Sequence, residues 1–171
     1  PRIGLMVPFR NDASEVVLNN LEQVSKIAET KGATITDIPS STSFEKLADI
    51  QTVIMLGDAG KALEWEYEFH PERLIQFYKD SIATGQTIST KGLAAMKSKA
   101  DAAREKYMEL FEKIDIILTL SSGDEAPKGL GFTGDPLFNR VWTLLGWPCV
   151  NIPFGKGSNE LPLGVQVIGP T

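Results

Sequence analysis

The chain has 171 residues, 42% of them apolar and 23% charged, with a formal net charge of -5. That is the length of one domain, with enough apolar material for a real core. No Lys/Arg stripe with interleaved aromatics occurs and no apolar run reaches the roughly 18 residues of a membrane helix, which argues against nucleic acid and membrane as direct partners.

In chain order, Arg2 to Pro8 is predicted as a short buried strand, and its position directly behind Pro1 reads as a cut into a longer chain. Asp12-x-x-Glu15 has capping-box spacing, Val17, Leu21, Val24 and Ala28 follow at helical spacing, and Gly32 supplies the stop. Thr34 to Pro39 is a second strand, so the opening is a βαβ-type unit that favours parallel pairing. Thr42-x-x-Glu45 is a further capping box, and the run through Phe44, Leu47, Ile50, Ile54 and Leu63 is read as helix to His70-Pro71, despite the strand-like Thr52 to Leu56. A third helix is predicted from Pro71 to Ala83, with Pro71 in its first turn, and a long amphipathic helix from about 90 to 112. Asp115 to Leu120 is a buried strand, 121–136 a Gly/Ser/Asp/Pro-rich loop, and Leu137 to Leu145 a short helix closed by Gly146. Cys149 to Ile152 and Leu163 to Ile168 are two more strands, both apolar enough to be central. These elements make one α/β unit over 1–171.

Few motifs carry chemistry. Gly57 to Ala62 lacks both the first glycine and the final hydroxyl of a phosphate loop and reads as a helix interior with small residues for close packing. Ser43 and Lys46 have Ser-x-x-Lys spacing, but Ser43 suits a helix cap and Lys46 a solvated side chain. The single histidine, His70, flanked by acids, reads as a surface residue. The single cysteine, Cys149, reads as a small core hydrophobe; it allows no internal disulfide, and a reducing, cytoplasmic setting is expected. The two residues also leave no multi-Cys or His-rich metal site, and no cofactor is expected. Asp124, Glu125 and Asp135 with Ser121, Ser122 and Thr133 suit acid–base work or loop capping, and Asp135 before Pro136 favours the cap. Trp142 and Trp147 are read first as packing residues, with Trp142 also placed to line a pocket.

Four submotifs recur in the last third: Ala126-Pro127, Thr133-Gly134-Asp135-Pro136, Trp142-Thr143-Leu144-Leu145-Gly146-Trp147-Pro148 and Leu161-Pro162-Leu163-Gly164-Val165-Gln166-Val167-Ile168-Gly169. In this order and spacing they resemble the C-terminal region of the amidase signature family. The earlier half, with its Arg-Ile-Gly strand, is consistent with it. The resemblance implies a mixed, largely parallel sheet flanked by helices, part of an amidase-signature fold. It also implies a Ser–cis-Ser–Lys triad in a Gly/Ser-rich core upstream of the matched region. No Gly-Gly-Ser-Ser stretch is present; Ser40-Ser41 and Ser121-Ser122 are the only Ser-Ser pairs. No catalytic residue is therefore assigned. Thr133, Asp135 and Trp142 correspond to family positions that border the acyl pocket and are the expected substrate-binding residues.

The expectation is thus part of an amidase that hydrolyses a small-molecule carboxylic amide to acid plus ammonia or amine, inactive by itself. The alternatives are a non-catalytic binding module reusing the fold and a piece of the tRNA-dependent amidotransferase component that belongs to the same family. With the partner half absent, exposed strand edges imply self-association or a need for the remainder of the amidase chain.

Overall fold

The computed structural model describes residues 1–171. Its centre is a five-stranded sheet in the order β2-β1-β3-β5-β4, where β1 is Arg2–Leu5, β2 Thr34–Asp37, β3 Ile116–Leu120, β4 Cys149–Lys156 and β5 Pro162–Ile168. β1 pairs in parallel with β2 and with β3, while β5 runs antiparallel to both β3 and β4. Only β5 therefore opposes the common strand direction, and the sheet is mixed and largely parallel, as the family resemblance implies.

Helix α1 (Glu15–Thr30) covers one face, packing Val17 and Leu21 on Ile3, Leu118, Leu120 and Val165. The other face carries α2 (Thr42–Glu45), α3 (Leu47–Ala62), α6 (Thr90–Met108) and α7 (Leu137–Leu145). Phe44, Ala100, Ile117, Trp142, Leu145, Trp147 and Ile168 form the core there. The Trp142 ring lies 5.4 Å from Phe44 and stacks on Trp147 at 6.1 Å. Burial of each such ring contributes roughly 1.5–3 kcal/mol, and each aromatic pair about 0.5–1.5 kcal/mol more.

The run 44–63 is helical, as its spacing predicts, with one break at Lys46 between α2 and α3 and a second at Leu63, before α4 (Glu64–Phe69). Its small residues are for packing: a Cβ on Gly60 would lie 2.8 Å from the Gly85 carbonyl carbon, and one on Gly85 would collide with the Leu56 carbonyl oxygen. Gly85 belongs to α5 (Gln76–Gln86), so the α3–α5 crossing has no room for a methyl group.

Several local expectations are corrected. Asp12 ends a 3-10 turn rather than capping α1; Ser14 stands at the cap position, its hydroxyl drawn instead to Asp124. The cap of α2 is Ser41, which accepts from the Phe44 N–H at 3.2 Å, while Ser43 bonds only to Ser41. Glu45 turns to the Phe9 N–H at 3.0 Å instead of closing a capping box. Pro71 opens a 3-10 turn, and extended backbone at Leu74 and Ile75 delays α5 to Gln76. Gly146 does end α7, in the left-handed region at φ 68°. The expectation that β4 is central fails: it is the sheet's edge, and Cys149 within it is exposed rather than a core residue. No helix is long and apolar enough to cross a membrane.

Candidate functional site

In sheets of this kind, ligands bind beyond the carboxyl ends of the strands, where the chain connections diverge to opposite faces. Strand β1 sends its chain to α1 on one face, and β3 is reached from the helices of the other. A cleft of about 1220 Å³ opens beyond the ends of these two strands. Asp12 and Ser14, which follow β1, and Ser121 to Lys128, which follow β3, form one side. Phe132 to Asn139 form the second, and Asn151, Pro153, Asn159 and Pro162 to Gly164 of the β4–β5 hairpin the third.

Hydrogen bonds fix these walls to one another. Ser14 donates its backbone N–H to the Gly123 carbonyl at 2.8 Å and its hydroxyl to Asp124 Oδ1 at 3.1 Å. The Glu125 carboxylate accepts from the backbone N–H groups of Asn159, at 2.9 Å, and Leu161, at 3.3 Å, and from the Asn159 carboxamide. The hairpin turn is thereby latched to the loop. Asp135 Oδ1 accepts from the Leu137 N–H at 2.9 Å, the helix-start role its position before Pro136 predicts, and lies 3.5 Å from Arg140. Ser121 Oγ donates to the Gly164 carbonyl at 3.3 Å.

Of the expected substrate-binding residues, Thr133 and Asp135 line the cleft. Trp142 does not: it is 1% exposed and committed to the core with Phe44 and Trp147. The cleft meets only the entry and first turn of α7, from Asp135 to Asn139, and Trp142 lies nearly a turn beyond them. Asn139 on the second side and Asn151 on the third belong to no motif that marks them, although Asn139 stands four residues beyond Asp135 and Asn151 interrupts an apolar strand.

The cleft supplies donors, acceptors and carboxylates, but neither lysine paired with serine nor histidine. His70 lies elsewhere, with Nδ1 3.6 Å from Glu72 and its ring 4.9 Å from Trp65. Ser43 and Lys46 are also outside the lining. No three His, Cys, Asp or Glu side chains gather as metal ligands. Burial raises the Cys149 thiol pKa above its ordinary value, the opposite of activation, and Sγ donates to the Trp147 carbonyl at 3.3 Å.

No family model matches the chain. A glutamyl-tRNA(Gln) amidotransferase component from Wolbachia sp. subsp. Brugia malayi is 30% identical over 200 residues, covering 98% of this chain and 40% of that protein. The crystal structure of an amidase superposes with a TM-score of 0.87 at 20% identity, over 99% of this chain and 42% of that one. A bacterial aryl acylamidase of the amidase signature enzymes superposes with a TM-score of 0.74 at 18% identity, over 98% and 39%. The chain thus spans about two fifths of the length of these proteins. Sequence likeness along the whole of this chain, the shared fold and the four ordered submotifs agree: the chain is similar to the C-terminal part of amidase signature proteins.

Proposed function

We propose that this chain is the C-terminal part of a larger amidase domain, and that its cleft is one wall of a site hydrolysing a small-molecule carboxylic amide to acid plus ammonia or amine. The observation that carries this reading is a polar cleft at the strand ends, built from the family submotifs yet holding no nucleophile with a base. Thr133 and Asp135 face the substrate in this proposal, and Trp142 supports them from the core. The serine pair and lysine of a Ser–cis-Ser–Lys mechanism lie outside the chain. Its single cysteine supports a reducing, cytoplasmic setting.

The test compares the 171-residue chain with a gene product extended upstream through a Lys and a Gly-Gly-Ser-Ser core. The extended protein is expected to release ammonia from simple amides, and the 171-residue chain to release none. Serine-reactive turnover by the 171-residue chain overturns the proposal. The second reading, a tRNA-dependent amidotransferase component, is favoured by the Wolbachia relative. It predicts glutamine as the preferred amide, whereas the residues Thr133 to Pro136 and Trp142 to Pro148 favour general small-molecule amides.

A further inference from the structure

A row of polar side chains crosses the apolar sheet just behind the cleft. Thr119 of β3, Gln166 of β5 and Asn151 of β4 are register partners, so all three stand on the α7 face. Thr119 is 1% exposed and Gln166 6% exposed, and both Thr119 Oγ1 and Gln166 Oε1 lack a hydrogen-bond partner. An unmade bond on a buried polar atom costs about 1–3 kcal/mol, so such groups mark places where something other than stability is served.

Gln166 spends its other end on the cleft. Its Nε2 donates to Asn139 Oδ1 at 2.8 Å, and Asn139 Nδ2 in turn donates to the Ser121 carbonyl at 3.2 Å. These two bonds fix which end of the Asn139 carboxamide is donor and leave it one N–H to offer. Asn151 ends the row at the cleft, where its carboxamide lies over Gly164. A Cβ on Gly164 would come within 2.7 Å of Asn151 Oδ1 and 2.9 Å of Nδ2, so only glycine leaves the amide this seat. Neither polar atom of that amide is engaged elsewhere in the chain.

We infer that Asn139 and Asn151, seated by Gly164 and oriented from behind by Gln166, form a subsite for a neutral carboxamide group. Asn151 presents an acceptor and donors side by side, the complement of a primary amide, and Asn139 adds a donor. Around them the cleft carries Asp12, Asp124, Glu125 and Asp135 against Lys128 alone. That surplus of negative charge disfavours a carboxylate in the same place. Hydrolysis turns a neutral amide into a carboxylate, so the subsite that holds the substrate's amide releases the acid. This deepens the amidase reading and rests on it for the identity of the substrate.

Ligand-observed NMR with the 171-residue chain tests the subsite, using propionamide and sodium propionate as probes. Propionamide is expected to bind several-fold more tightly than propionate. Asn151→Leu, at an exposed position, is expected to weaken propionamide about two- to tenfold, the net worth of a hydrogen bond or two. Gly164→Ala is expected to do the same by displacing the carboxamide, with circular dichroism checking that the fold is kept. Equal binding of the two probes, or unchanged propionamide binding by Asn151→Leu, overturns the inference. In the extended protein, Asn151→Leu is expected to raise KM and leave kcat nearly unchanged. Amide turnover with unaltered KM sinks the subsite and leaves the amidase reading standing; propionamide binding without turnover by the extended protein does the reverse.

Discussion

Strands β4 and β5 are neighbours of similar composition, yet they live in different surroundings. β5 lies between β3 and β4, with Val165 and Ile168 fully buried. β4 has one hydrogen-bonded neighbour, and its Val150 and Ile152 are 62% and 44% exposed. Apolar composition reports what a strand is able to bury, not whether the nearby chain supplies the cover. If the chain is part of a larger domain, as proposed, the uncovered strand is where the remainder of that domain would pack.

The largest effect that would sharpen this contrast is on stability. Ile168→Ala in β5 is expected to cost about 2–5 kcal/mol in chemical denaturation, whereas Val150→Ala in β4 stays within about 0.5 kcal/mol. Equal losses would mean that β4 is covered in solution. A smaller effect concerns association. The open edge and its exposed side chains are expected to make the chain self-associate, and Val150→Lys with Ile152→Lys to restore a monomer, because lysines block edge-to-edge pairing. A monodisperse wild-type monomer by light scattering breaks the comparison.

The smallest effect lies at Cys149. Being on the exposed strand, it is expected to alkylate in the native state, yet more slowly than a free thiol at pH 8. Burial favours the neutral thiol, so its thiolate fraction is lower there and the two rates converge only at more alkaline pH. A Cys149 as reactive as a free thiol at pH 8 would contradict this.

Much of the fold is legible in the sequence because the relevant signals are local. The helix through Thr52 to Leu56 follows from spacing, and Gly32 and Gly146 both stand in the left-handed region where their helices end. Cap details are not legible, because they depend on competition from afar. Ser14 and Glu45 leave their own helix starts for Asp124 and Phe9, contacts between distant segments. The same holds for the cleft. Asp135 and Thr133 stand out through their submotif, but Asn151 and Gln166 become neighbours only through strand register. Trp142 sits in the right segment but too far along its helix. Three residues beyond Asn139 carry it about 4.5 Å down the axis, past the cleft and into the aromatic core.

The Glu125 latch has a mechanical consequence. A long loop pinned at one interior point behaves as two shorter ones, each with less freedom to lose. Residues 121–125 are clamped to the start of α1 and to the β4–β5 turn and form a fixed jaw. Residues 126–136 have no such clamp along most of their length; they include Gly129 and Gly134 at φ 97° and 103°, and the exposed Leu130 and Phe132. The cleft therefore has one lip tied to two other segments and one with few such ties, and the less-tied lip is the one that carries Thr133.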